Sequence, residues 1–170
     1  DKDDIDETEY EAIKEAMRQA LSEISAFRSE EGKVLEQDFV ERLKKLTVLL
    51  DEVNAMDPER LATVRERLEK AVADVKVEVD ANRFEQELIY YLEKYDVTEE
   101  KVRLANHLNY FEATLKSDDS NGKKLGFIAQ EIGREINTIG SKANYAPMQQ
   151  LVVQMKDELE KIKEQMLNVL

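Results

Sequence analysis

Leu35-Glu-Gln-Asp-Phe39-Val-Glu-Arg-Leu43-Lys-Lys-Leu46-Thr-Val-Leu-Leu50-Asp-Glu-Val53-Asn-Ala-Met56-Asp57-Pro58 is the stretch that decides the fold. Its apolar residues recur at steps of three and four, the period of one helical face. Read backward, the stripe continues through Phe27, Ile24, Leu21, Met17, Ile13, Tyr10 and Ile5, with Gly32 between the two parts. One Gly within a helix costs roughly 1 kcal/mol relative to Ala, too little to stop a helix of this length. The spacing therefore predicts a continuous helix to about Met56. Asp57-Pro58 has the form of an N-cap followed by Pro at the first helical position. Leu61, Val64, Leu68, Val72, Val75 and Val79 then carry a returning helix. The expectation is a long antiparallel helical hairpin over residues 1–79. At 1.5 Å per residue its longer arm reaches roughly 70 Å. So long an arm exposes apolar surface, which predicts packing on another subunit.

From residue 80 to 170 the pattern shortens into a compact helical C-terminal domain. Asp80 and Thr98 read as N-caps, with Glu85/Glu87 and Glu99/Glu100 near the positive ends of the helices that follow. Those helices are expected over about 81–95 and 98–116. The run Ser117-Asp-Asp-Ser-Asn-Gly122 reads as a flexible loop. A helix over about 123–139, a turn from Gly140 to Pro147, and a last helix carrying Leu151, Met155, Leu159, Ile162, Met166 and Val169 complete the chain. The fold class is all-α.

Composition narrows the chemistry. The 170 residues include no Cys, no Trp and one His, and 25 basic side chains oppose 38 acidic ones for a net charge of −13. Thiolate metal sites, disulfides and Cys nucleophiles are excluded. Five Gly and two Pro are too few for the frequent turns of a sandwich or barrel. No apolar run approaches the ~18 residues of a membrane span. The Asp1-Lys-Asp-Asp opening is not a secretory signal, and the lack of an initiator Met suggests a piece of a longer protein. An acid surplus argues against membrane surfaces and a broad basic sleeve, so nucleic acid would need a local patch.

Residues 122–142 are such a patch. Lys123, Lys124, Arg134 and Lys142 face only Glu131 and Glu135 there, a net of +2 in a chain of −13. Glu131, Arg134, Glu135, Thr138 and Lys142 lie at i, i+3, i+4, i+7 and i+11, on one helical face. Asn137, Ser141 and Asn144 add neutral donors. Intrahelical ion pairs explain Glu131 and Arg134 equally well. A second cluster, Glu100, Arg103 and His107, sits at i, i+3 and i+7 on the helix after Thr98. A carboxylate and an imidazole on one face can share a proton or a divalent metal, or His107 can be a satisfied structural residue. Glu85 and Glu87 either answer the dipole of their helix or, with Glu100, complete an acidic cluster. No HExxH, Walker loop, GxSxG or dinucleotide fingerprint occurs.

Several spaced motifs resemble the YicC/YloC family of bacterial endoribonucleases. They are Asp80-Ala-Asn-Arg83-Phe-Glu85-Gln-Glu87, then Asp96-Val-Thr-Glu99-Glu100-Lys-Val-Arg103-Leu-Ala-Asn-His107, then Gly122-Lys-Lys-Leu-Gly through Arg134-Glu135-Ile-Asn137 to Lys142-Ala-Asn144, and Lys156-Asp-Glu158 to Glu164-Gln165. The likeness covers about 90 residues. Residues 1–79 are similar mainly in kind, with Arg28-Ser-Glu-Glu-Gly32 to Asp38 fitting the family's long central helix. Tyr145 and Pro147 depart from the pattern, as do the glycines Gly126 and Gly133.

The resemblance implies a cytoplasmic, stress-induced ribonuclease that forms hexamers, with a further N-terminal domain absent from this sequence; the long apolar stripe by itself predicts a homo-oligomer, a dimer or larger. RNA would be the partner, with no membrane and no DNA. On that footing Glu131, Glu135, His107 and Glu100 are the candidate catalytic residues. Lys123, Lys124, Arg134, Asn137, Lys142 and Arg103 are the candidate RNA contacts. With a single His, a two-imidazole acid–base pair within one subunit is impossible. The routes left are a carboxylate-bound divalent metal, Mg or Mn on Glu87, Glu100, His107 and Glu131, or a Glu/His pair assisted by Arg. The abundance of Glu favours the metal. The competing class is a non-catalytic helical module for oligomerisation or RNA binding whose chemistry needs the N-terminal domain absent from this sequence.

Overall fold

The computed structural model describes residues 6–74, 80–117 and 121–167. Five helices follow in order: α1 (Glu7–Asp74), α2 (Ala81–Lys94), α3 (Thr98–Leu115), α4 (Gly122–Ala143) and α5 (Ala146–Met166), with no strand among the described residues. Ile5, Val75, Val79, Val169 and the middle of the Ser117–Gly122 loop, all assigned roles from the sequence, lie outside the described residues. The chain divides into two units, up to Asp38 and from Phe39 onward.

The first unit is helical from Glu7. Tyr10, Ile13, Met17, Leu21, Ile24 and Phe27 are all more than half exposed on it. Its charged faces are laced by pairs one turn apart, such as Lys14–Glu11 at 2.9 Å and Lys33–Glu30 at 2.7 Å, which support an exposed helix modestly.

In the second unit, Phe39, Leu43, Leu46, Leu50, Val53, Asp57, Arg60 and Val64 are all buried. Their spacing alternates four and three without a break, so the stripe passes through the Asp57-Pro58 position as one helix. This differs from the corner expected there. Proline lacks an N–H and crowds the carbonyl four residues back, but Pro58 lies on the exposed face. Asp57 and Arg60 continue the buried seam beside it. Arg60, 0% exposed, donates through Nε to Asp57 Oδ1 at 2.7 Å and through Nη1 to the Ala143 carbonyl at 3.3 Å. Lys101 of α3 donates to Asp57 Oδ2 at 2.5 Å. The network thus joins α1 to α3 and to the end of α4. The antiparallel return along α1 is made by α2: Arg65 meets Glu85 at 3.8 Å, and Leu61 and Ala62 line a groove with Leu92, Glu93 and Asp96.

Local signals place the remaining ends. Asp80 caps α2 by accepting from the Asn82 N–H. At α3 the cap bond comes from Asp96, which accepts from both the N–H and the Oγ1 of Thr98 at 3.0 and 2.7 Å. Thr98 is the first helical residue rather than the cap. α4 runs past Gly140 to Ala143, and Asn144 in the left-handed region (φ 43°) ends it. Extended Tyr145 and then Pro147 in the first turn start α5, so the two departures from the family pattern form the helix-to-helix corner.

α4 packs on both α3 and α5. Toward α5 it presents Gly126, Gly133 and Gly140, one every seven residues. They lie opposite Met166, Leu159 and Val152, also seven apart, and a Cβ on each glycine would lie 3.6, 3.1 and 2.9 Å from its partner. The glycines admit α5 close to the α4 backbone, with Ile132, Ile136, Ile139, Met148 and Met155 sealed around the contact.

Candidate functional site

The α3–α4 seam runs antiparallel, and it brings the one imidazole to two carboxylates. His107 of α3 and Glu131 and Glu135 of α4 offer ligand atoms that all lie within 4.8 Å of one another. Glu131 and Glu135 are one turn apart, so both side chains project to the same side of α4. Glu135 is 3% exposed, whereas the Glu131 side chain is 47% exposed. The trio therefore has a buried carboxylate at its back and an accessible one at its mouth. A buried carboxylate needs a compensating proton or cation. One imidazole nitrogen and two carboxylates at this spacing suit a divalent ion of hard or intermediate character, so the donor set fits Mg or Mn.

Glu100 and Glu87 fall outside this trio. Glu100, two turns before His107 on α3, is buried and accepts from Lys142 Nζ at 2.6 Å, while its Oε2 has no hydrogen-bond partner among the described residues. Glu87 is exposed on α2. The sequence had placed both among the metal ligands and Glu135 only among the catalytic residues; the structure puts Glu135 with His107 and Glu131.

The candidate RNA contacts divide as well. Lys123 is exposed at the start of α4. Lys124 Nζ stands 5.0 Å over the Tyr110 ring. Arg134 is exposed, with Glu131 loosely paired at 3.8 Å. Asn137 is exposed on the same helix. Arg103 is bound to Glu99 at 2.5 Å. Lys142 is the exception: it is committed to buried Glu100. Nearby, the Thr98 hydroxyl holds the Asp96 carboxyl below its ordinary pKa, with a backbone bond and the charges of Lys101 and Lys142 adding to it.

Two features escaped the sequence reading. The Asp57–Arg60–Lys101 network was masked by counting apolar residues alone, although positions 57 and 60 continue the four-three alternation. Phe127, to which the sequence reading gave no role, is 68% exposed.

The fold is a helical domain in which an imidazole and two carboxylates meet in one seam, edged by exposed cations, a donor set able to share a proton or hold a divalent ion. The chain belongs to the endoribonuclease YicC-like C-terminal family, whose model matches residues 53–170. It is 35% identical to a probable endoribonuclease YicC of Clostridioides difficile (strain 630) over 99% of this chain and 59% of that protein. It is also 35% identical to a probable endoribonuclease YicC of Haemophilus influenzae (strain ATCC 51907 / DSM 11121 / KW20 / Rd), over 88% of this chain and 52% of that protein. The chain thus spans a little over half the length of these relatives. The resemblance carried by the sequence motifs is borne out. No helix among the described residues is long and apolar enough to cross a membrane.

Proposed function

We propose that this chain carries the reacting centre of a cytoplasmic endoribonuclease, with His107, Glu131 and Glu135 at its heart. The observation that carries this reading is the convergence of those three side chains across the α3–α4 seam, in a chain whose relatives are named probable endoribonucleases. Cleaving a phosphodiester requires a base for the attacking oxygen, an acid for the leaving oxygen and positive charge at the phosphoryl group. Glu131, at the mouth of the trio, would take the proton of the attacking hydroxyl or water. His107 would return one to the leaving oxygen. Glu135 holds the imidazole or a cation from behind. Mg or Mn held by the trio would polarise a phosphoryl oxygen when bound. Lys123, Lys124 and Arg134 would hold neighbouring phosphates, Arg134 through its two-pronged guanidinium. Lys142 reaches a phosphate only by leaving Glu100.

Glu131→Gln and Glu135→Gln keep size and remove charge. Each should lower the rate of cleavage of a single-stranded oligoribonucleotide in Mn by at least about tenfold, about 1.4 kcal/mol of barrier, while RNA affinity holds. If both variants cut at the parent rate, the assignment of the site is wrong.

The alternative reading, a helical module for assembly, is favoured by one observation: the exposed stripe from Tyr10 to Phe27. We propose that this stripe joins copies of the chain into a dimer or hexamer. Light scattering that finds a monomer at micromolar concentration would remove this part of the proposal.

A further inference from the structure

The Lys142–Glu100 pair is built unlike the other ion pairs of α3. Arg103–Glu99 and Lys116–Glu112 each lie one turn apart on that helix, with both partners open to water. Lys142–Glu100 crosses from α4 to α3, and its two ends differ: the Glu100 side chain is 9% exposed and that of Lys142 36%. The carboxylate is also only half served. Its Oε1 accepts from Lys142 Nζ at 2.6 Å, its Oε2 has no partner among the described residues, and neighbouring Lys101 is taken by Asp57. A buried acceptor left unmade is costly, so the pair is held less firmly than its short distance implies. Glu100 is the third residue of α3, where the positive end of the helix favours an anion. It therefore tolerates losing its cation for a time better than a carboxylate in mid-helix would.

The pair also lies on the seam of the reacting centre. Lys142 follows Glu135 by seven residues on α4, and Glu100 precedes His107 by seven on α3, which sets the pair roughly 10 Å from the trio. A strand that is cut at the trio and runs along the seam passes over the Lys142 ammonium. There the Glu100 carboxylate is a rival of the phosphodiester, since both are oxyanions that accept charge-assisted hydrogen bonds from the same group. We infer that Glu100 is an internal stand-in for an RNA phosphate: it occupies Lys142 in the RNA-free chain, must be displaced before that lysine can hold the strand, and recaptures it as the strand leaves. The latch weakens the grip on RNA and so favours release of the cut strand. This rests on the RNA-cleaving reading above and adds a positioning role for Glu100, exerted through Lys142 and not on the scissile phosphate.

The test is a double-mutant cycle on RNA affinity. An oligoribonucleotide is titrated with the intact chain in EDTA, so that the strand survives, over a range of salt. Glu100→Gln keeps the size of the side chain and removes the rival charge. It should tighten binding roughly tenfold, the worth of one charge-assisted contact. It should also steepen the slope of log affinity against log salt by about 0.7, the mark of one further phosphate held. Lys142→Met should weaken binding strongly in the Glu100→Gln background and only slightly in the parent, so that the two effects do not add. Lys142→Gln, which can still donate to Glu100, should show the same pattern and takes the place of Lys142→Met if that variant melts early. Equal losses from Lys142→Met in the two backgrounds would reveal a phosphate contact that Glu100 does not contest, and would overturn the latch. So would a Glu100→Gln gain that survives the loss of Lys142, which would be a general effect of removing charge from a chain of −13. An unchanged affinity in Glu100→Gln would overturn it too. A parent chain that binds no RNA overturns it together with the reading beneath it. If instead Glu131→Gln cuts normally in Mn while the cycle holds, the latch stands and only the placement of the chemistry fails.

Discussion

The two flanks of α4 are built on opposite principles. Toward α5 the helix offers glycines at 126, 133 and 140 and meets an apolar row, Met166, Leu159 and Val152. Toward α3 it offers Glu131, Glu135 and Lys142 and meets His107 and Glu100. Close packing on the first flank is insensitive to charge. The second flank holds Glu135 and Glu100 away from water, and such groups are costly to bury unless paired. One helix thereby fixes its position through α5 and leaves its other side free to carry reactive groups. A site displayed on a rigidly seated helix keeps its geometry better than one on a loop.

The largest expected effect breaks the buried polar junction of α1 with α3 and the end of α4, beside that second flank. Asp57→Ala strips buried Arg60 and Lys101 of their shared carboxylate, and removing one member of a buried pair costs about 3–5 kcal/mol. Urea unfolding would show this as a lowered midpoint. A cost below about 1 kcal/mol would mean that the network does not secure the α1–α3–α4 junction.

A smaller effect tests the apolar flank. At Gly140 an added methyl meets a Val152 methyl 2.9 Å away, and Val is stiff at χ1. Gly140→Ala should cost about 1–3 kcal/mol by overpacking, only partly offset by better helix propensity. At Gly133 the neighbour is the end of a Leu159 side chain, which can yield, so alanine should be near neutral. At Gly126 the nearest atom is 3.6 Å off, an ordinary contact, and alanine should raise stability by up to about 1 kcal/mol. Thermal melts that rank the three alike would show that the seven-residue row does not govern the approach of α5.

The smallest effect concerns pH and belongs to the α3 side alone. The Asp96 carboxyl is held below its ordinary pKa by Thr98. A depressed carboxyl contributes its stability above the unfolded value of about 3.9 and loses it as pH falls through the lower folded value. Asp96→Ala should therefore cost about 0.5–2 kcal/mol at pH 7, the range for losing an N-cap, and progressively less as pH falls below the unfolded value. Should the penalty show no decline as the carboxyl is titrated with acid, hydrogen bonding to the charged carboxylate is not its source.

Much of this was legible beforehand. The apolar period announced an all-α chain, and the spacing of Glu131 and Glu135 put them on one face of α4. Glu100, Arg103 and His107 were likewise on one face of α3. Which acid meets the imidazole was not legible. Glu100 and Glu135 are both in reach of a helix-face argument, and only the antiparallel register of α3 against α4 pairs Glu100 with Lys142 and leaves Glu135 for His107. Gly140 had the look of a turn residue, because its use as a gap for Val152 depends on a helix that is distant in sequence.

What the sequence by itself determined were properties carried by neighbours within a turn or two: helix type, caps such as Asp80, the face each charge occupies, and the motifs that place the chain in its family. Local spacing suffices there because backbone hydrogen bonds and i,i+4 contacts are set by adjacent residues. The tertiary structure decided the path of α1 through Pro58, the close seat of α5, the make-up of the His107/Glu131/Glu135 trio and the exposure of Phe127. Each of these depends on contacts between segments far apart in the chain, where burial outweighs local preference: the seam through Asp57 and Arg60 keeps α1 helical although a proline stands inside it.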